Sequence, residues 1–194
     1  MANLITIDEY KTSENIQSTK EDARINSLIA AVSALVKTYC GNSIVDFYAT
    51  NKIEEFSVNW GTNLVQLTEA PVVSIVSVEE RTDFSSSYTT VPATEYYVDS
   101  STDSVYRVTT SGGKKLWPTG PASVKVTYKA GYAECPADLQ LAVIDLITYY
   151  MKDEHKARQT IAGASIQNNA SSSQRNNVAF PDHIKRVLDL YKNF

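Results

Sequence analysis

Apolar residues recur at three- and four-residue steps early in the chain, which is the spacing of a helix with one buried face. This stripe consists of Ile25, Leu28, Ile29, Val32, Leu35, Val36 and Tyr39. The segment Ser18–Glu21 has the spacing of a capping box, in which the first and last side chains each bond the backbone amide of the other. Gly41 can take the left-handed conformation that ends many helices. We therefore predict a long helix over residues 19–40.

Three more helices are predicted from apolar spacing and from end signals. The first covers residues 6–12, where Thr6 and Glu9 have the spacing of another capping box. The second covers residues 136–160 and begins at Pro136. Its apolar stripe consists of Leu139, Val143, Leu146, Ile147 and Tyr150. The last begins at Pro181, and its stripe consists of Ile184, Val187, Leu188 and Tyr191.

Residues 44–132 have a different pattern, with many Val, Ile, Thr and Tyr residues separated by short polar breaks. The predicted strands are Val45–Tyr48, Ile53–Val58, Leu64–Leu67, Val72–Val78, Glu95–Val98, Val105–Val108 and Val124–Tyr128. Trp60–Asn63 and Ser111–Gly113 are predicted to be turns between paired strands. The region is therefore expected to form an antiparallel sheet or a small sandwich. Its aromatic residues either fill the core or form an exposed platform.

Residues 164–178 separate the last helix from the rest of the chain. Ten of these fifteen residues are Ser, Asn or Gln, so the segment buries too little apolar surface to offset the entropy lost on ordering. We expect a mobile polar tether here. Two alternatives follow for the last helix: it packs on its own chain, or the tether lets it dock elsewhere.

These elements predict an α+β fold. We expect a helical base in which the long N-terminal helix packs on the helix of residues 136–160. The antiparallel β-region of residues 44–132 is inserted between these two helices and projects from them. The domain is predicted to cover residues 1–163, and residues 164–194 are predicted to form a mobile C-terminal tail that ends in a short helix.

Composition and charge narrow the possible functions only slightly. The 194 residues are 43% hydrophobic and 21% charged, as in globular proteins. A formal net charge of −4 disfavours sequence-independent nucleic-acid binding, although residues 152–194 hold seven Lys and Arg against four Asp and Glu. Cys40 and Cys135 are expected to be buried thiols and not a disulfide framework. Neither a secretory signal nor a membrane span is expected.

The sequence offers no strong catalytic or metal-binding pattern. His155 and His183 lack partners at the spacing of a triad or a metal site, so we expect them to be solvated. Glu54–Glu55 and Glu79–Glu80 are adjacent carboxylates, which point to opposite faces of a strand and are expected to be solvated. Residues 111–115 lack the spacing of a phosphate loop. We therefore expect no enzyme activity, no metal and no cofactor.

Five segments, taken in their order along the chain, form a recognisable series. They are Thr6–Lys11, Leu67–Val78 with its Pro-Val and Ser-Val steps, Glu95–Asp99, Val124–Tyr132 with its Ala-Gly-Tyr ending after Trp117-Pro118, and Pro136–Leu139. This series resembles the head-tail connector proteins of tailed phages, also called adaptor or head-completion proteins. The likeness covers roughly residues 4–155 and departs from the family pattern at Tyr150–Asp153.

The resemblance implies a structural adaptor in the virion neck, assembled in the host cytoplasm. Proteins of this family form a homo-oligomeric ring, typically a dodecamer, that docks on the portal protein after DNA packaging. The ring then receives the tail or a second neck protein, and the genomic DNA passes through it without specific binding. The family has no catalytic residues to transfer to this sequence.

We expect residues 164–194 to dock on the portal ring or on a neighbouring subunit. The predicted interface residues are Phe180, Ile184, Lys185, Arg186, Val187, Leu188, Tyr191 and Phe194. Apolar members would supply buried area, and the cations would pair with acidic groups on the partner. The alternative function is a β-rich tail or baseplate module that uses surface tyrosines to bind a glycan or a protein. A small hydrolase is a distant third.

Overall fold

The computed structural model describes residues 2–152, 158–161, 164–167 and 180–192. Within this part of the chain there are two compact units. A helical unit is built from the chain up to Gly41 and from Glu134 onward, and a β unit is built from Asn42–Ala133. The protein is therefore a mixed α+β protein, as predicted.

The helical unit contains α1 (Ile7–Ser13), α2 (Asp22–Cys40), α3 (Ala137–Met151) and α4 (Asp182–Leu190). Helices α2 and α3 pack against each other through their apolar stripes. The buried members of these stripes are Ile25, Ile29, Val32, Val36, Leu139, Val143, Leu146 and Ile147. A hydrogen bond of 3.1 Å between the Tyr10 and Thr148 hydroxyls joins α1 to α3.

The ends of the first two helices test three sequence predictions. The capping box at α1 is confirmed, because the Thr6 amide donates to the Glu9 carboxylate at 2.6 Å and the Glu9 amide donates to the Thr6 hydroxyl at 3.3 Å. The left-handed Gly41 is confirmed, with φ +65°. The second capping box is wrong, because α2 begins at Asp22 and the Ser18 hydroxyl instead accepts a bond from the Lys20 amide at 3.3 Å.

The C-terminal end of α3 differs from the prediction. The helix ends at Met151, and residues 158–160, predicted as its last turn, lie in a strand. Strand β8 (Arg158–Ile161) pairs with β9 (Ala164–Gln167) as an antiparallel hairpin. The apolar stripe stops where the charged residues 152–156 begin, so the helix has no further face to bury. The predicted tether therefore starts with strand β9, and its remainder, residues 168–178, lies outside the described residues.

The β unit contains two antiparallel sheets. Their strands are β1 (Lys52–Val58), β2 (Leu64–Gln66), β3 (Val72–Glu80), β4 (Thr89–Thr90), β5 (Tyr96–Asp99), β6 (Ser104–Arg107) and β7 (Gly120–Ala130). One sheet has the order β1-β7-β3-β4 and the other has the order β2-β6-β5. Both sheets bury one face in a common core that includes Val65, Val78, Val105 and Val126. The unit is thus a small sandwich, which is one of the two predicted arrangements.

Strand β3 carries two β-bulges. Its pairing with β7 shifts between Val72 and Ser74 and again between Ile75 and Ser77. The residues inserted at these shifts are Val73 and Val76, which are 48% and 52% exposed. Each bulge turns an extra valine outward, although a regular two-residue alternation would place residues 73 and 75 on the same face.

Three strand predictions need correction. Val45–Tyr48 forms turns and no strand, while the short strand β4 was not predicted. The predicted Trp60–Asn63 turn does not join paired strands, because β1 pairs with β7 and β2 pairs with β6. Propensity identified the apolar segments but not their partners, since pairing over long sequence distances depends on the packed core.

A close backbone contact explains the turn that replaces the predicted first strand. Ile44 has φ +64° and its carbonyl accepts a bond from the Tyr132 amide at 2.7 Å. Gly131 has φ +92°, and a Cβ at this position would lie 2.2 Å from the Ile44 carbonyl oxygen. Only glycine fits there, which gives the Ala-Gly-Tyr segment a physical reason.

Candidate protein-interaction surfaces

The apolar stripe of α4 lies against α2 and α3 of the same chain. Ile184 and Leu188 are fully buried, and Phe180 is 9% exposed. The Phe180 ring meets the Tyr39 ring edge-on, with centroids 5.0 Å apart. The Cys40 thiol lies 3.6 Å from the Leu188 carbonyl oxygen. Of the two alternatives that the sequence leaves open for this helix, the structure has the one in which it packs on its own chain.

Polar contacts hold α4 at both sides of this stripe. The Tyr39 hydroxyl donates to the Asp189 carboxylate at 2.6 Å, and the Tyr191 hydroxyl donates to the Asp138 carboxylate at 2.5 Å. The Lys192 ammonium lies 5.0 Å from the centroid of the Tyr39 ring. Burial, together with the bond to Asp189, raises the pKa of Tyr39 to about 12, so this phenol stays protonated and keeps donating.

The remaining predicted interface residues lie on the outer side of α4 or at its end. Arg186 is exposed, whereas Lys185, Val187 and Tyr191 are half-buried. Leu190, which the sequence analysis did not single out, is 77% exposed. Phe194 lies outside the described residues. The structure therefore brings the cationic positions and Leu190 to the surface while it covers Ile184 and Leu188.

An ion-pair cluster around a buried arginine joins the two sheets of the β unit. Arg107 on β6 is 2% exposed, and its guanidinium donates to both carboxylate oxygens of Glu80 on β3, at 2.9 and 2.8 Å. The same guanidinium donates to the Glu95 carboxylate at 2.8 Å, and Lys115 donates to that carboxylate at 2.8 Å. These bonds, Lys115 first and then Arg107, lower the pKa of Glu95. The cluster is balanced in charge and has a structural role.

Sequence reasoning placed Glu79 and Glu80 on opposite faces, and this is confirmed. Glu79 forms a salt bridge with Lys125, while Glu80 points inward to Arg107. The expectation that both are solvated is wrong, because their side chains are only 22% and 23% exposed and each forms an ion pair. The alternation from buried Val78 to Glu80 was the available signal, because two residues apart on a strand means the same face.

The candidate chemical groups form no reactive site in the described residues. His183 is exposed on α4, and His155 lies outside the described part. Within the described ranges, no group of three or more His, Cys, Asp and Glu residues could hold a metal ion. No described helix is both long enough and apolar enough to cross a membrane. Burial raises the pKa of Cys40 to about 11 and that of Cys135 to about 12, which leaves both thiols protonated and weakly reactive at neutral pH.

The aromatic residues divide between the core and the surface. Tyr128 and Trp117 are buried in the sandwich, at 0% and 2% exposure. Trp60, Phe84 and Tyr97 are 87%, 64% and 59% exposed. Both readings of the aromatic content therefore apply, each to a different set of residues. Exposed rings of this size are typical anchors of protein interfaces.

A two-unit α+β chain with exposed aromatic and apolar side chains has, in class, the surface of a protein that contacts other proteins. The head completion protein family has a model that matches residues 3–194, and the chain belongs to this family. The resemblance drawn from five segments is thereby confirmed. So is the predicted role as a head-completion, or head-to-tail adaptor, protein.

This chain is similar to a phage protein in sequence and to several solved structures in fold. The head completion protein of Escherichia phage T5 is 28% identical over 75 residues, and the match spans 41% of that protein and 39% of this chain. The fold is similar to chains in the neck of an empty gene transfer agent particle computed with C6 symmetry (TM-score 0.60, 17% identity, 98% of this chain and 90% of that one). A chain in the virion of the native particle has a TM-score of 0.59 at 16% identity, with 98% and 90% covered. A chain in the neck of the native particle, computed with C12 symmetry, has a TM-score of 0.58 at 16% identity, with 100% and 96% covered.

Proposed function

We propose that this chain forms a closed ring in the neck, docks on the portal protein, and receives the tail or a second neck protein. The observation that carries the proposal is the fold, which is similar over nearly the whole chain to neck chains in particles computed with C6 and C12 symmetry. The twelve-copy ring is the form that the family resemblance implies. The chain acts by protein–protein contact, and the genomic DNA passes through without specific binding.

The helical unit is the base that meets the portal. The outer side of α4 supplies the contact, because Arg186 and Leu190 are exposed there and Lys185 is half-buried beside them. The cations pair with acidic groups of the portal and govern encounter and register. Leu190 adds apolar area to the same contact.

The buried members of the predicted interface have a supporting part in this proposal. Phe180, Ile184 and Leu188 fix α4 on α2 and α3, and so they hold the outer side of the helix in one orientation. The half-buried Val187 and Tyr191 lie at the border of the contact. A docking helix that is already ordered loses less entropy on binding than one that folds at that moment.

The experiment measures attachment of the purified protein to DNA-filled, portal-bearing heads that lack it. The variant Lys185→Glu/Arg186→Glu reverses two charges on α4, and we expect attachment to fall at least tenfold while the melting temperature is unchanged. Lys20→Glu/Lys114→Glu is the matched control, because it reverses two exposed cations that lie outside α4. If the α4 variant attaches as well as the control, the docking surface lies elsewhere. If the wild-type protein does not attach, the adaptor proposal itself fails.

A further inference from the structure

The outer faces of the two sheets in the β unit carry two different apolar patches. We define the aromatic face as Trp60, Leu64, Tyr97 and Tyr106, and the aliphatic face as Ile53, Val73 and Val76. The first belongs to the three-stranded sheet and the second to the four-stranded sheet. Because both sheets bury their inner sides in one core, their outer faces point away from each other.

Strand register assembles the aromatic face. Tyr106 on β6 lies opposite Leu64 on one side and opposite Tyr97 on the other. The Tyr97 and Tyr106 rings are 6.3 Å apart. Leu64 and Tyr97 are 36% and 59% exposed, and Trp60, in the turn that leads to Leu64, is 87% exposed. Exposed apolar and aromatic side chains that strand register brings side by side are typical of an interaction site.

The two bulges of β3 assemble the aliphatic face. Val73 and Val76 are the residues inserted at the bulges, and Ile53 on β1 lies opposite Thr127 of the intervening strand. Ile53 is 62% exposed, more than either valine. A bulge re-aims a side chain, and apolar side chains that two bulges turn to the surface offer area for contact with another molecule.

We infer that the aromatic face of one copy packs on the aliphatic face of the next copy in the ring. This inference rests on the proposed function, because a closed ring needs a head-to-tail contact between two different surfaces of the same chain. A sandwich with unlike apolar patches on opposite outer faces provides these two surfaces. A partner of another kind would need only one of them.

Charge complementarity supports a second copy as the occupant. Asp99 lies two residues beyond Tyr97 on β5, on the same face, and bonds to Ser101 and Thr102 lower the pKa of its carboxyl. Lys129 on β7 lies opposite Ser74, the residue that follows Val73. Glu55, two residues beyond Ile53, and the ion pair of Glu79 with Lys125 lie elsewhere on the four-stranded sheet. Asp99 beside Tyr97 and Lys129 beside Val73 have opposite signs, and packing the two faces with these ends together lets the two charges meet across the contact.

A cross-linking experiment on heads tests the contact. Tyr97→Cys and Val76→Cys are each made in a Cys135→Ser background, where the remaining native thiol, that of Cys40, is buried. Portal-bearing heads are loaded with either variant or with an equal mixture. A short bis-maleimide then joins nearby thiols. We expect a covalent dimer from the mixture and little from either variant alone. Phe84→Cys is the matched control, since this exposed aromatic residue lies in a loop outside both faces.

Charge exchange gives a second readout that does not depend on cysteine. Asp99→Lys or Lys129→Asp alone should lower the number of copies bound per head several-fold. The double variant carries both exchanges in each chain. It should restore the number of copies bound per head, because every contact again has opposite charges.

The outcomes separate the inference from the proposed function. If one variant alone gave as much covalent dimer as the mixture, two copies of the same face would be in contact, and this result would overturn the inference. So would cross-linking of either face to another virion protein, or no dimer from variants that load normally. If wild-type protein does not load onto heads, the adaptor proposal fails first, and the inference falls with it.

Discussion

At the scale of single residues, backbone strain and a close backbone contact determine the turn at Ile44 more than residue composition does. Ile44 is a β-branched residue in the left-handed region, where such residues are rare. It holds this conformation because its carbonyl receives the Tyr132 amide and lies against Gly131. The Ala-Gly-Tyr pattern was visible in the sequence, but its cause, a contact with a residue 87 positions earlier, was not.

The substitution Gly131→Ala tests this contact. We expect a loss of about 2 kcal/mol or more in the free energy of unfolding, because the new Cβ adds a backbone clash to the cost of a left-handed alanine. Gly112→Ala is the control: Gly112 has φ +82° but nothing within 4 Å of the added Cβ, so only the conformational cost of about 1 kcal/mol applies. Urea denaturation measures both. Equal losses would mean that the contact with Ile44 relaxes freely.

The ion-pair cluster predicts a dependence of stability on pH. Lys115 and Arg107 lower the pKa of Glu95 in the folded protein, so the unfolded chain binds more protons at mildly acidic pH. The stabilisation from Glu95 is therefore present above the ordinary carboxyl pKa of about 4.3 and is lost as the pH falls toward the lowered value. We expect Glu95→Gln to reduce the fall in melting temperature between pH 6 and pH 3.5. An unchanged pH profile would exclude Glu95 as a contributor.

At the scale of elements, apolar period located the helices and the packing of α2 on α3, but it did not give the partners of the strands. Both stripes of α2 and α3 are where the sequence placed them, since a one-sided stripe is a local property. The hairpin β8–β9 was missed because its polar composition gives no β pattern. The bulges at Val73 and Val76 were missed because an inserted residue is defined only by its partner strand.

Helix α4 contributes to the stability of the helical unit. Leu188 is fully buried, so Leu188→Ala should lower the free energy of unfolding by about 2–5 kcal/mol. Leu190→Ala is the matched control, because Leu190 is 77% exposed and should cost little. Thermal unfolding compares the two.

Deletion of residues 164–194 extends the same test. A tail that docks only on a partner would leave the melting temperature of the free protein nearly unchanged. The packed α4 predicts a clear decrease instead, because removing it exposes the apolar side of α2 and α3. An unchanged melting temperature would mean that α4 is detached in solution.

At the scale of the whole molecule, the family and the fold class could be predicted from the sequence, whereas the interaction surfaces could not. The order of five segments was sufficient for the family, since each segment is contiguous. The aromatic and aliphatic faces combine residues from several strands, such as Tyr97 with Leu64, and they emerge only from the register. Leu190 lies outside the apolar stripe of α4, so only the packed helix shows that it is at the surface.

The net charge of the chain predicts how the proposed twelve-copy ring interacts with DNA. Twelve copies at −4 each would carry a formal charge of about −48, which repels phosphate over the range of a Debye length. We expect the purified protein to show no retardation of double-stranded DNA in an electrophoretic assay at physiological salt. If the protein bound double-stranded DNA at micromolar concentration under these conditions, the expectation that the genome passes through without binding would be contradicted.

The chain order of the two units has a consequence for synthesis on the ribosome. Helix α2 is complete at Cys40, but its partner α3 begins only at Ala137. At about 5–20 residues per second, the intervening stretch of roughly a hundred residues takes about 5–20 seconds to translate. During that interval the β unit, which is one contiguous stretch of chain, can fold by itself. The apolar side of α2 stays uncovered over the same time and is accessible to chaperones.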